Sequence, residues 1–287
     1  MIIGVSEDII YKFVKNTKKY TFEKIQEGKK YETILISLDT KLCKKAWKKM
    51  GCPQILSPTT NISYIPEELR THTINIHPNQ LGHITATAEH AFCLFLMACR
   101  KVRNDILDHR NQWLGRQLSN MKVAIFGHGR IGKLIEGYCK PFGIETRTYD
   151  KNNSDLEKKQ LLTWADGVFV CMTYDDQTEG FFNLDSYEDI KQGQIFVNIS
   201  RAQIIDKSLI IKCLDEDKWD CLCMDFINHE DLPYFIDIDY KKYYNQRKMI
   251  LTPHIAGNTS DSLRMAINVV LKNLEATNEK NISTLSQ

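Results

Sequence analysis

Apolar runs short enough to be strands recur along this chain, and they alternate with stretches whose apolar residues follow a helical spacing. In the first part the strand-like runs are Ile2 to Val5, Thr33 to Ser37, Gln54 to Leu56 and Thr73 to Ile76. Helical stretches lie between them, one passing Tyr11 to Val14. A long helix is expected from Thr87, through Phe92, Phe95 and Leu96, running toward Trp113. Strand signals then return as Val123 to Phe126, Ile144 to Tyr149, Val168 to Met172, Ile195 to Ile199, Cys221 to Met224 and Met249 to Leu251. Strands that alternate with helices need crossover connections and so pair in parallel, which makes the expected fold class α/β. A final helix is expected after Gly257, capped by Ser260 and Asp261, with Leu263, Ile267, Val270, Leu271 and Leu274 on one face.

One strand stands out for the turn at its end. Val123 to Phe126 runs straight into Gly127-His-Gly-Arg-Ile-Gly132, and a helical pattern (Leu134, Ile135, Tyr138) continues without a break. In such a strand, turn and helix the first glycine permits the tight turn and the second lets backbone approach a pyrophosphate. The third lets helix pack on strand, while the helix N-terminus offers N–H groups to the anion. Gly-x-Gly-x-x-Gly alone is a weak signal. Here the next strand ends in Asp150, 18 residues past the last glycine, where an acid that holds the ribose hydroxyls belongs.

Composition narrows the classes. At 287 residues, two domains are the expectation. The 43% hydrophobic and 26% charged fractions are those of an ordinary globular chain, and a net charge of +2 implies neither a nucleic acid nor a membrane partner. The longest uncharged apolar run, Ala91 to Cys99, has nine residues, too few for a spanning helix, which needs roughly 20. Met1-Ile-Ile-Gly-Val meets Glu7 and Asp8 with no basic lead, so no signal peptide is expected and the location is read as cytoplasmic. Nine cysteines lie without paired spacing, several in strand-like runs (Cys171, Cys221, Cys223), which reads as reduced buried thiols and no metal site. Between Lys12 and Lys49 there are twelve lysines against four acids, a solvated surface first and an attraction for anionic substrates second.

Three polar residues fall just after strand ends on the side of the glycine turn, where ligands of open α/β sheets bind: Arg201, Glu230 and His254. Singly they read as a loop cation, a helix-start carboxylate and a histidine after a turn proline. Together they supply what a nicotinamide dehydrogenase of 2-oxo or 2-hydroxy acids needs. Arg holds a carboxylate bidentately. His is the side chain whose ordinary pKa suits it to deliver or take the alcohol proton. A carboxylate beside that His fixes its tautomer and favours the imidazolium.

Thr87-Ala-Glu-His-Ala, the glycine turn, Tyr149-Asp150, Val197-Asn-Ile-Ser-Arg201, Met224-Asp225 through His229-Glu230 and Thr252-Pro-His254-Ile-Ala-Gly resemble, in order and approximate spacing, the D-isomer-specific 2-hydroxyacid dehydrogenase family. The resemblance covers roughly residues 85 to 260. It implies two Rossmann-like domains with parallel sheets: a flavodoxin-like substrate domain of residues 1–86 and 260–287, and an inserted NAD-binding domain of residues 87–259. It implies that Arg201 binds substrate and that His254 and Glu230 form the acid/base pair. It sets Gly127, Gly129, Arg130, Ile131, Gly132, Asp150, Met172, Thr173, Thr178, Ile199, Ser200 and Asp225 around NAD. Asp150 favours NAD over NADP because it would repel a 2′-phosphate, although Arg147 and Lys151 are near. The expected assembly is a homodimer and the expected partner a small 2-oxo or 2-hydroxy acid.

The chain also departs from the family. The substrate loop, usually a Gly-Val-Asp-like run, is Ser57-Pro-Thr-Thr-Asn-Ile-Ser63, so Thr59, Thr60 and Asn61 are the substrate-binding candidates. The strand-end proline near Thr173 is missing, and Ala202-Gln203 stands where a glycine usually follows the arginine. Between Glu230 and His254 the segment is long, with Tyr240-Lys-Lys-Tyr-Tyr244, which reads as a surface insertion. His128, between the first two glycines, is expected to face solvent or the cofactor phosphates. Three other readings stay open: an NAD(H)-sensing, co-repressor-like protein on the same fold, a reductase of phosphorylated substrates, and the family's formate dehydrogenase branch. The last is disfavoured, since it uses an amide where this chain has Glu230.

Overall fold

The computed structural model of the chain describes residues 1–6, 11, 12, 14–36, 40–59, 62, 65–76, 83–102, 114–225 and 238–285. In chain order the first elements are β1 (Ile2–Val5), β2 (Thr21–Lys24), β3 (Thr33–Leu35), α1 (Lys44–Lys49), β4 (Gln54–Ser57), α2 (Glu67–Arg70), β5 (Thr73–Asn75) and α3 (His83–Cys99). Then come β6 (Lys122–Phe126), α4 (Arg130–Cys139), β7 (Glu145–Tyr149), α5 (Asp155–Trp164), β8 (Gly167–Val170), β9 (Gln194–Asn198) and α6 (Lys207–Asp215). Last are β10 (Trp219–Asp225), α7 (Tyr240–Asn245), β11 (Met249–Thr252) and α8 (Ser260–Leu285). The chain divides into two compact units, Met1–His83 with Asn258–Gln287, and Ile84–Gly257. Among the described residues no helix is long and apolar enough to cross a membrane.

The first unit is built on a five-stranded sheet of order β2-β1-β3-β4-β5, with every pairing parallel. Ile3, Val5, Leu35 and Leu56 face one side, where Ile267, Val270 and Leu274 of α8 cover them. Ile34 and Ile55 face the other, with Trp47 and Leu69. The period of two that separates these sets is what a sheet buried on both faces requires. Strand β2 is absent from the hydrophobic pattern because it buries only Phe22, between exposed or half-buried neighbours in a lysine-rich stretch. The cap of α8 also differs from expectation. Thr259, one residue before the helix, accepts the Ser262 amide through Oγ1 at 3.1 Å, while Asp261 in the first turn pairs with Arg264 at 3.5 Å.

The second unit carries a six-stranded, all-parallel sheet of order β11-β10-β9-β8-β6-β7. Strand β10 shows how it is sandwiched: Trp219, Leu222 and Met224 enter one apolar layer and Cys221 and Cys223 the other. The cysteines serve there as small hydrophobes. Helix α3 covers the cysteine side with Ala88, Ala91 and Phe95, whose ring lies 5.1 Å from that of Phe169. Helices α5 and α6 cover the other side through Leu161, Leu162, Leu209, Ile210 and Leu214. Helix α7, in the stretch read as a surface insertion, is part of this packing. Tyr243 is 2% exposed and its hydroxyl donates to Asp215 at 3.1 Å.

At the start of β8, Asp166 ties strands together at the end of the sheet opposite the glycine turn. Its carboxylate accepts the Lys122 amide at 2.9 Å and Lys191 Nζ at 2.6 Å, with Arg116 3.6 Å away. Partial burial raises its pKa, but the Lys191 and Lys122 hydrogen bonds and the Arg116 charge outweigh this, and the net pKa lies below the ordinary carboxylate value. A depressed folded-state pKa contributes stability above the unfolded value, near 3.9, that is lost as pH falls through the folded one. Asp166→Asn should therefore cost about 1 kcal/mol at pH 7, since solvent around Lys191 and Arg116 screens much of the pairing. Urea unfolding of both proteins at pH 7 and in acid checks this: the gap should close below about pH 4.

Candidate active site

A parallel sheet brings the carboxyl ends of its strands to one edge, and in the second unit the loops leaving that edge hold most of the residues singled out in the sequence. The glycine turn follows β6, which lies between β7 and β8, so it opens where the strand order reverses. Gly127 has φ +97°. A Cβ there would meet the Cys171 carbonyl carbon at 2.7 Å, so only glycine lets the turn pass under the loop after β8. A Cβ on Gly132 would sit 2.2 Å from the Gly127 oxygen, so α4 starts against the turn only because that side chain is missing. Gly129 has open space where its Cβ would be, and it caps α4 without a side-chain acceptor. The first-turn N–H groups of α4, beginning at Arg130 and Ile131, thus receive no side-chain cap from residue 129.

His128, expected to face solvent or phosphates, is half-buried beside an acid of α4. Its Nε2 lies 2.7 Å from Glu136 Oε2, two turns along α4, and the ring is 28% exposed. Asp150 follows β7 in a hydrogen-bonded turn. Its amide donates to Asn153 Oδ1 at 2.7 Å and its Oδ1 accepts the Lys151 amide at 2.8 Å. Asn153 bonds to Glu157, which closes a capping box with Ser154 at the head of α5. The nearby Arg147 is turned onto the Trp164 ring, its guanidinium carbon 4.3 Å from the ring centroid, with Glu145 3.7 Å away.

After β8, Met172 and Thr173 lead into a turn stitched by Thr178, whose hydroxyl is 2.8 Å from the Thr173 oxygen. Cys171 opens this loop, and burial pushes its thiol up to about 12, which favours the protonated form. Past β9, Ile199 is buried in the core and contributes position rather than surface. Ser200 donates to the Met172 oxygen at 2.7 Å and so joins the loops after β8 and β9. Asn198 braces the next turn, accepting the Ser200 amide at 2.9 Å and donating to the Arg201 oxygen at 2.9 Å. The Arg201 side chain is exposed, with Nη1 donating to the Ser200 oxygen at 2.8 Å.

Another hydrogen-bonded group lies between β10 and β11. Asp225 is 2% exposed. Its carboxylate accepts the amides of Ile255 at 2.9 Å and Ala256 at 2.7 Å, and also the Thr252 hydroxyl. These bonds bracket His254, which is exposed and holds φ +55°, a left-handed conformation uncommon outside glycine. His90 of α3 completes the group, with Nε2 3.0 Å from Thr252 Oγ1 and 3.6 Å from Asp225 Oδ1. Asp225, expected beside the nicotinamide, thus has both oxygens engaged by the loop that carries His254.

The carboxyl edge of this one sheet brings together the glycine turn, Asp150, Met172, Thr173, Thr178, Ile199, Ser200, Arg201, Asp225 and His254. Thr59 belongs to the first unit, past β4, where its hydroxyl lies 2.9 Å from that of Ser57. Thr60, Asn61 and Glu230 lie outside the described residues. His90 and Thr252 fall within the sequence motifs, with no part expected of either. The signal for His90 is its position directly before the nine-residue apolar run, on a helix most of whose following residues are buried.

The residues present fit a dinucleotide: an uncapped helix N-terminus under open space, two glycines where a Cβ would collide, and an acid at the end of the second strand. Residues 92–256, more than half of the chain, match the family described as D-isomer specific 2-hydroxyacid dehydrogenase, NAD binding domain, and the cofactor of this domain is NAD. A glyoxylate reductase of Pyrococcus furiosus is 27% identical over 214 residues, 67% of this chain and 62% of that protein. A D-lactate dehydrogenase of Streptococcus agalactiae is 27% identical over 243 residues, 76% of this chain and 73% of that one. The structure of Salmonella D-lactate dehydrogenase shares the fold, with a TM-score of 0.79 at 16% identity over 96% of each chain. With its glycine turn, its parallel sheet and this match in hand, the chain belongs to the D-isomer-specific 2-hydroxyacid dehydrogenase family.

Proposed function

We propose that the chain interconverts a small 2-oxo acid and its D-2-hydroxy acid, with NAD as redox partner. The observation that carries this reading is the order of polar groups along the carboxyl edge. Arg201 follows β9, Asp225 ends β10 and His254 follows β11, and these three strands are neighbours. At the usual strand spacing, β9 and β11 lie about 10 Å apart, a span that the Arg201 and His254 side chains can bridge with a small 2-oxo acid between them. Bound NAD supplies or accepts the hydride, held by the glycine turn, the N-terminus of α4 and Asp150. Every other step belongs to the chain's own side chains.

Arg201 spends one N–H on the Ser200 oxygen, and its fork has others with which to grip a carboxylate in two places. That grip orients the 2-oxo group. His254 gives a proton to the carbonyl oxygen when the 2-oxo acid is reduced and takes it from the hydroxyl in the other direction. Glu230, by the family resemblance, pairs with His254 and favours its cationic form. The names of the relatives, a glyoxylate reductase and a D-lactate dehydrogenase, bring glyoxylate and pyruvate to the head of the substrate panel. The assembly is taken to be a homodimer, as in the resemblance.

The decisive experiment is a panel of 2-oxo acids followed by NADH absorbance, with NADPH in parallel. Turnover on the best acid of about 1 per second or more is expected. His254→Ala should lower that turnover about 10²–10⁴-fold with unchanged NADH affinity. An undiminished rate in that variant would sink the reading. For the cofactor, Asp150→Ser should tighten NADPH about tenfold or more by removing a like charge from the 2′-phosphate, measured by fluorescence titration. Because Arg147 is drawn onto Trp164, the wild-type chain should prefer NADH clearly.

A further inference from the structure

We propose that His90 is a positioning residue for His254, acting through Thr252 and Asp225. The inference rests on the reading of His254 as the acid/base, but the geometry that motivates it stands within the second unit alone.

The direction of each hydrogen bond follows from what each group can donate. The Asp225 carboxylate can only accept, and it takes the Thr252 hydroxyl together with the Ile255 and Ala256 amides. Thr252 has one hydroxyl proton, and that proton goes to Asp225. Its oxygen lies 3.0 Å from His90 Nε2 and must therefore accept. His90 then carries a hydrogen on Nε2 whether neutral or cationic, and the chain runs His90 to Thr252 to Asp225 in one direction.

This chain fixes the residue two before His254 and the two after it. His254 itself holds a left-handed backbone that costs about 1 kcal/mol or more, so the loop keeps that shape only while its neighbours are tied down. The far end of the tie is firm. His90 stands on α3, where Ala91, Leu94, Phe95 and Ala98 are packed into the sheet. Thr252 without its donor could turn about χ1 and let the strand end drift. A shift of about 1 Å at a proton-transfer group costs up to about 10²-fold in rate.

Three variants of the full chain test this: His90→Leu and Thr252→Val break the link, while His90→Gln keeps an N–H donor at similar reach. His90→Leu should lower kcat about 10- to 100-fold, with KM for the best acid of the panel and NADH affinity within about threefold of wild type. Amide exchange at Ile255 and Ala256, measured without substrate, should quicken. His90→Gln should restore kcat to within about fivefold and the slow exchange with it. A folded His90→Leu protein with wild-type kcat and exchange overturns the proposal, as does a loss confined to NADH affinity or a Gln variant as impaired as the Leu variant. Should His90→Leu fail to fold, Thr252→Val and His90→Gln decide, the first slow and quick to exchange, the second near wild type. His254→Ala separates the two readings. If it stays active, the proposed function falls; if it is inactive while His90→Leu matches wild type, only the role of His90 falls.

Discussion

Parallel pairing is the constraint on which the rest of the second unit depends. Once six strands run the same way, each must leave the sheet at the same edge. Its connection must cross back over a face, so both faces are covered and the inner strands are buried. The chain has no choice about where its loops gather. It chooses only which residues to place in them. Gly127 and Gly132 are chosen for what they lack, because a Cβ at either would collide with backbone. Asp225 is chosen for what it accepts.

Those two ends of the edge achieve order by opposite means. Around the glycine turn, N–H groups at the head of α4 are left without a side-chain cap, and the cost of that opening falls when an anion arrives. Around Asp225 the N–H groups of the His254 loop are satisfied within the protein, by a carboxylate with almost no contact with water. One region is open to a ligand because it is unfinished, and the other holds the His254 loop still because it is complete. His90 extends the second region onto α3, so that a helix of the core and a surface loop share one hydrogen-bonded group.

Much of this was legible from residue order. Most strands of the second unit announce themselves as apolar runs, since a strand buried on both faces has no polar period to blur it, and the glycine turn carries its own spacing. What escaped did so for identifiable reasons. Strand β2 buries one residue amid charge, and its pairing with β1 is a long-range fact that no local pattern encodes. The cap of α8 went to Thr259 because the choice among Thr259, Ser260 and Asp261 turns on one residue of helix phase. The partnership of His90 with Thr252 spans 162 positions and arises only when α3 lies on the sheet. The local partners of side chains were the hardest to read. Thr178, Ile199 and Asp225 share the expected edge, where Thr178 and Asp225 hydrogen-bond loop backbone and Ile199 is buried in the core.

Strand β7 closes one side of the six-stranded sheet, and its outer backbone groups have no neighbouring strand among the described residues. Such a margin invites another chain to add itself in register. Here the strand is only five residues long and alternates Glu145 and Arg147 with threonines, the two charges 3.7 Å apart and the arginine lying over Trp164. Stacking a second copy there would bring like charges into line and pull Arg147 off its ring. The same side chains that precede Asp150 therefore also guard the sheet against self-association, which couples solubility to any redesign of this corner.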